Sequence, residues 1–256
     1  MKKYLFLDID GTLFDSNKLL PSSAKEAVFE ARKNGHEVFI ATGRAPFMIR
    51  DVLAELEIES YICFNGQYVV YQNEVISQNE INAAQLRLVS EFAENRNHPM
   101  VYMNAKKMIS SIAYHPHIEE SINSLKFPHP IHEKDFYMNQ EIYQALVFIS
   151  MEEEQAYQEN FPHLKFVRWH RVSVDILPEG ASKANAIELI CNKLHIPIED
   201  TIAFGDGLND VEMLETAGYG VSMGNGHEEA IKRADYVTAH VDENGLAKAM
   251  KYLKLI

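Results

Sequence analysis

The chain has 256 residues, of which 46% are hydrophobic and 24% charged, enough to bury a core in one large domain or two smaller ones. Its formal net charge of -13 argues against a nucleic-acid binder, which would carry a basic face. No segment approaches the roughly 18 apolar residues of a membrane span, and the apolar run after Lys2 and Lys3 stops at Asp8, too short for a signal peptide. Cys63 and Cys191 sit in apolar surroundings without zinc spacing, as two buried thiols in a reducing compartment would. A cytoplasmic protein is expected, one that binds neither nucleic acid nor membrane.

"YLFL" (residues 4–7) has no helical period and runs into Asp8, Ile9, Asp10 and Gly11, so it reads as a buried strand ending in two carboxylates. "PSSAKEAVFEARKNG" reads as a helix with a capping box at Ser23 and Glu26, an inner face of Ala24, Ala27, Val28 and Ala31, and a stop at Gly35. "EVFIATGR" is a second strand. Pro46 then opens a helix with Ile49, Val52, Leu53 and Leu56 inward. "YICFNG" is a third strand, and "QYVVYQNEVIS" a hairpin turning at Gln72 and Asn73. From about Glu80 to Pro178 the chain is richer in His, Asn, Met and Tyr. It reads as one helix, several extended pieces, a second helix near Glu152 to Asn160 and two adjacent strands, "LKFVRW" and "VSVDIL". "HPHIEE" and "HPIH" read as exposed loops. After the insert the alternation resumes, with a helix from Ser182 and Lys183 (Ile187, Ile190, Cys191 and Leu194 inward), the strand "TIAF", and "GDGLND" leading into a helix. "GYGVSM", "HEEAIKRA", "DYVTA" and "GLAKAMKYL" complete the chain. The expected fold is α/β, a Rossmann-like doubly wound parallel sheet formed by residues 1–79 and 179–256, with an inserted α+β domain over residues 80–178.

In such sheets ligands sit beyond the carboxyl ends of the strands. Four segments carry polar groups there: Asp8 and Asp10; Thr42 and Gly43; Ser182 and Lys183; and Gly205, Asp206, Asn209 and Asp210. Each has a plainer reading when taken singly, as a turn, a strand-end hydroxyl, a solvated lysine or a helix cap. Together they make a cluster of carboxylates that repel unless a cation joins them. Oxygen-only ligands suit Mg²⁺, which uses a few carboxylates plus substrate phosphate. Lys183, Thr42 and backbone N–H groups can hold phosphate oxygens. A carboxylate can then attack phosphorus and form an aspartyl-phosphate. Asp10 would share the sheet face of Asp8 if the strand continued, where it could give a proton to the leaving oxygen and take one from water. A calcium loop is excluded by spacing, since Gly11 falls at loop position four and Leu19 at position twelve.

"DIDGTL", "ATGR", "SK" and "GDGLND" resemble, in order, the four motifs of the haloacid dehalogenase superfamily. "FNG" and "GVSMGNGHEEAIKRADYVTAHVDENGLAKAM" are similar to its Cof-type branch, with a large cap (type IIB) between the second and third motifs. The resemblance implies that Asp8 is the nucleophile and Asp10 the general acid/base. It further implies that Asp8 and Asp206 bind Mg²⁺ through carboxylates and Asp10 through its backbone carbonyl. By the same resemblance Thr42, Gly43, Lys183 and Asn209 hold the phosphoryl group, near the backbone N–H groups of Ile9 and Gly11. Asp210 orients Lys183 or a metal-bound water, and Arg44 and Asn65 face the substrate. Ala184 where Gly is frequent, Gln67 after "NG" and Gly226 in "MGNG" depart from the usual pattern without touching this set.

The expected activity is Mg²⁺-dependent hydrolysis of small phosphorylated metabolites. Sugar phosphates come first, and FMN or flavin precursors second. Within the insert, Arg168 to Arg171 ("VRWHR") is the local candidate for leaving-group contacts. A phosphotransferase or phosphomutase on the same core is the alternative. A receiver-like signalling module would be about half as long and would lack the insert. A metabolite-binding protein without turnover would not need the full catalytic set. A monomer or weak homodimer is expected.

Overall fold

A computed structural model describes residues 1–133 and 135–256. The chain divides into two compact units. One comprises Met1–Arg44, Met48–Ser77 and Ser182–Ile256, the other Ala45–Phe47 and Gln78–Ala181. Residues 45–47, read from sequence as part of the first unit, thus go with the insert. Phe47 makes an edge-to-face contact with Phe127 there, centroids 6.3 Å apart.

In chain order the first unit begins with β1 (Tyr4–Leu7), α1 (Ser22–Lys33), β2 (Glu37–Ala41), α2 (Arg50–Leu56), β3 (Tyr61–Cys63), β4 (Tyr68–Tyr71) and β5 (Glu74–Gln78). The insert follows with α3 (Ala83–Glu94), β6 (Met100–Met103), β7 (Met108–Ser110), α4 (Pro116–Ser124), β8 (Gln144–Val147), α5 (Met151–Asn160), β9 (Leu164–His170) and β10 (Ser173–Pro178). The first unit is completed by α6 (Lys183–Leu194), β11 (Thr201–Gly205), α7 (Val211–Thr216), β12 (Tyr219–Ser222), α8 (Glu228–Arg233), β13 (Tyr236–Val237) and α9 (Gly245–Tyr252).

Its sheet has the order β13-β12-β11-β1-β2-β3-β4-β5. The central strand β1 pairs in parallel with both β2 and β11. Leu5, Phe6 and Leu7 are fully buried, which is why "YLFL" shows no alternation. The chain leaves β1 towards β2 and later adds β11 on its other side, so the strand order switches direction at β1. Ligands in open α/β sheets sit at such a point. Phe6, Phe39, Ile62 and Val69 pack against Ile187 and Ile190 of α6 and Leu214 of α7. Gln72 and Asn73 both take positive φ in the turn between β4 and β5, as a two-residue hairpin requires.

The expected capping box of α1 does not form. The helix begins two residues early, at Ser22, with Pro21 at its N-cap, and Ser23 donates to Asn244 instead. Pro46 opens a 3₁₀ turn, and α2 starts only at Arg50.

The insert's sheet has the order β7-β6-β8-β10-β9, with antiparallel pairs throughout. Leu86, Val89 and Ala93 of α3 and Tyr157 of α5 cover one face, over Tyr102, Ala145, Val147, Val174 and Ile176. "HPHIEE" is not the expected loop. His115 caps α4, Pro116 sits in its first turn, and Ile118 and Ile122 are buried one turn apart, where proline's fixed φ favours helix initiation. Among the described residues, no helix is long and apolar enough to cross a membrane.

Candidate active site

Asp8 follows β1, and its N–H donates to Phe204 O on β11. The strand ends there, so Asp10 does not continue the sheet face as expected. It lies in a turn in which the N–H groups of Thr12, Leu13 and Phe14 all point to Ile9 O. Ile9 itself is fully buried. Gly11 takes φ +90°, and a Cβ there would lie 2.3 Å from Asp206 Oδ2. Only glycine lets the two acidic segments approach so closely. Its N–H is engaged by Phe14 O at 3.2 Å.

Lys183 stands at the centre. Ser182 caps α6 through the N–H of Ala184, and the fully buried Lys183 ammonium lies 2.7 Å from Asp8 Oδ1 and 2.6 Å from Asp210 Oδ1. Burial alone would drive its proton off, but Asp210 and Asp8 outweigh it and hold the ammonium form above its ordinary range. Asp210 Oδ2 accepts from the N–H groups of Asp206 and Gly207 at 2.9 and 2.8 Å. Both Asp210 oxygens are therefore committed within the protein, which suits orientation of Lys183 better than metal ligation.

One oxygen from each of Asp8, Asp206 and Asp210 lies within 4.8 Å of the others, a metal-compatible grouping that includes no histidine. Three carboxylates face one ammonium, so the cluster is under-compensated. Burial, and then Asp210 and Asp206, push Asp8 above the usual carboxylate range against the pull of Lys183. Burial and then Asp210 push Asp206 to about 7. Such a set fits a divalent cation, with Asp8 and Asp206 as the carboxylates left to hold it.

Asp10 is held differently. Arg44 Nε reaches Oδ2 and Arg44 Nη2 reaches Oδ1, each at 2.7 Å, a bidentate pair. Lys18 Nζ adds a contact of 2.7 Å to Oδ1. Burial tends to raise this carboxyl, but Arg44 and Lys18 outweigh it and hold it below its usual range. Arg44, expected to face the substrate, is thus committed to Asp10.

The buried Thr42 accepts through Oγ1 from the N–H of Arg44 at 3.1 Å and through its carbonyl from the N–H of Asn65. After β3, Phe64, Asn65 and Gly66 all take positive φ, at 52°, 51° and 104°, a conformation that costs a bulky residue such as Phe about 1–3 kcal/mol. The turn brings Asn65 Oδ1 to within 3.0 Å of Asn209 Nδ2. It also leaves the Asn65 amide where a Cβ on Gly43 would meet it at 3.1 Å. The same turn seats Gly66 on α6, where a Cβ would lie 2.2 Å from Ser182 O.

Three further contributors were not singled out from sequence. Thr12 Oγ1 donates to Asp206 Oδ1 at 2.9 Å. Lys18 pairs with Asp10. Asn225 Nδ2 donates to Gly11 O at 2.8 Å while its Oδ1 accepts from the N–H of Val241. Thr12 lies within the first motif, "DIDGTL", and Asn225 in "MGNG". Conversely, the insert's "VRWHR" is largely consumed by its own unit. Arg168 pairs with Glu154 at 2.7 Å and donates to the carbonyls of Ile149, Ser150, His170 and Arg171. Arg171 pairs with Glu120.

The model of the haloacid dehalogenase-like hydrolases matches residues 5–250. The chain is 46% identical over 254 residues to YkrA of Bacillus subtilis (strain 168), covering 99% of this chain and 98% of that one. It is 26% identical over 255 residues to the 5-amino-6-(5-phospho-D-ribitylamino)uracil phosphatase YcsE of the same organism, covering 98% and 95%. Among solved structures, the HAD subclass IIB sugar phosphatase BT4131 superposes with a TM-score of 0.90 at 34% identity, over 100% of both chains. With its four acidic and basic segments gathered where the strand order switches at β1, the chain belongs to the haloacid dehalogenase-like hydrolase family, as a Cof-type phosphoric monoester hydrolase.

Proposed function

We propose that this protein hydrolyses small phosphorylated metabolites through a phosphoaspartate on Asp8, with Mg²⁺ as its cation. The observation that carries the reading is the buried Asp8–Lys183–Asp210 chain beside Asp206, whose carboxylates exceed the ammonium groups that reach them. Asp8 and Asp206, with the Asp10 carbonyl, are the residues that would hold Mg²⁺. When bound, the cation supplies charge neutralisation for a carboxylate meeting an anionic phosphate.

The chain's own residues do the rest. Lys183, Thr42, Gly43 and Asn209, with the Ile9 amide, hold the phosphoryl oxygens. A carboxylate oxygen of Asp8 bonds to phosphorus while the ester P–O bond breaks, and the departing oxygen takes a proton from Asp10. Water then bonds to phosphorus, the Asp8–phosphorus bond breaks, and the water's proton passes to Asp10. Gly11 lets Asp206 close against the turn, Asp210 aims Lys183, Arg44 holds Asp10, and Asn65 supports Asn209.

Sugar phosphates are the leading substrates. The full-length likeness to the sugar phosphatase BT4131 supports this. The name of YcsE supports flavin precursors as the second class. Substrate choice is assigned to the insert. The two buried free thiols suit a reducing cytoplasm. The test is phosphate release from sugar phosphates, FMN and an aryl phosphate, with Mg²⁺ or EDTA, for the wild type and Asp8→Asn. Release that needs both Mg²⁺ and Asp8 is expected. Equal release in EDTA or by Asp8→Asn contradicts the reading, and formation of a phosphate isomer without net release favours a mutase.

A further inference from the structure

Lys18 has no role in the four motifs, yet its ammonium lies 2.7 Å from Asp10 Oδ1, with the side chain 30% exposed. Its backbone is left-handed, φ +61°, where glycine or asparagine is the easier choice. The turn that imposes this is firmly tied. Lys18 N–H donates to Asp15 O, and the N–H groups of Asn17 and Leu19 donate to Asp15 Oδ1, each at 2.9 Å. Ser16 is fastened to Asp242 through both its N–H and its hydroxyl. The strained turn thus presents one ammonium to one carboxylate oxygen.

An ionised carboxylate offers about four acceptor positions, two on each oxygen. Arg44 fills one on each oxygen. Lys18 fills the second on Oδ1, leaving a single open position, on Oδ2. We propose that Lys18 is a positioning residue that saturates Oδ1 of Asp10 and so makes Oδ2 the oxygen that passes the proton. This rests on the proposed function, in which Asp10 gives its proton to the ester oxygen as the P–O bond breaks. A proton carried on Oδ2 leaves both contacts to Oδ1 intact. With Arg44 alone, each oxygen would have an open position, and the carboxyl could present the wrong one.

Arg44 still pairs with both oxygens of Asp10 when Lys18 is removed, so no buried charge is left unpaired and Lys18→Ala is expected to fold. The test compares kcat/KM for a hexose 6-phosphate turned over by the wild type with kcat/KM for p-nitrophenyl phosphate. The sugar alkoxide needs a proton to leave, whereas nitrophenolate does not. Lys18→Ala is expected to lose at least ten times more on the sugar ester than on the aryl ester, and Lys18→Arg to recover part of the difference. Asp10→Ala should show the same selectivity more strongly. Equal losses on both esters in Lys18→Ala, or no loss, with Asp10→Ala still selective, overturn the role of Lys18 and leave the proposed function standing. Equal losses in Asp10→Ala overturn Asp10 as the proton donor, and Lys18 with it. Wild-type release that persists in Asp8→Asn would contradict the phosphatase mechanism itself.

Discussion

Lys183 is the residue on which the site's charge balance turns, since it is fully buried between Asp8 and Asp210. Its replacement by methionine would leave two buried carboxylates without their shared cation. Breaking a buried pair in this way costs about 3–5 kcal/mol, so Lys183→Met is predicted to lower the melting temperature by many degrees. Asp8→Asn leaves Lys183 its partner Asp210 and removes one repelling charge, so it should melt near the wild type when no divalent cation is present. Asp206 gives a pH signature. Its carboxyl, raised from 3.8 to about 7 by burial and Asp210, keeps its proton in the folded chain where the unfolded chain has lost it. Stability therefore falls as pH rises between those two values and levels off above the higher one. In EDTA, the melting temperature of the wild type minus that of Asp206→Asn should fall from pH 5 to pH 8. Mg²⁺ should raise the wild-type value more at pH 8, where it does not compete with a proton. A difference that stays flat or rises would contradict this charge balance.

Between elements, the contact that matters most is the left-handed turn after β3 against the start of α6. A Cβ on Gly66 would lie 2.2 Å from Ser182 O at φ +104°, so Gly66→Ala must move the segment that carries Lys183. It is predicted to lower kcat more than tenfold. Gly35→Ala, at φ +91° with nothing within 4 Å, has the same backbone strain without the contact. It should lose stability and keep its activity, and similar kcat losses in both would mean that strain alone was responsible. The strand-end carboxylates, Lys183 and the Gly205–Asp210 segment were legible because a parallel sheet gathers strand ends at one edge. Lys18, Thr12 and Asn225 were not, because their contacts depend on how the turn after β1 folds back, and no local periodicity encodes that. The Arg44 pair with Asp10 was missed for the same reason. Their separation of 34 residues is bridged only once β1 and β2 are paired.

For the whole chain, alternation of apolar strands and amphipathic helices was enough to read an α/β sheet with an α+β insert, since each period follows from what the element must bury. Helix α4 escaped because its histidines and proline look like loop residues, while its buried pair, Ile118 and Ile122, is too short a signal. The ion pairs that occupy Arg168 and Arg171 escaped because their partners, Glu154 and Glu120, lie 14 and 51 residues away. The central claim joins all three scales: Asp8, set at the end of β1 and paired with Lys183, becomes covalently phosphorylated. Its most direct test is to quench the enzyme with acid during turnover of a phosphate ester and weigh the peptide containing Asp8. The wild type should carry one added phosphoryl group on Asp8, absent from Asp8→Asn and from reactions stopped before substrate is added. Turnover at full rate with no phosphoryl group on that peptide, or with the group on another residue, would contradict the account.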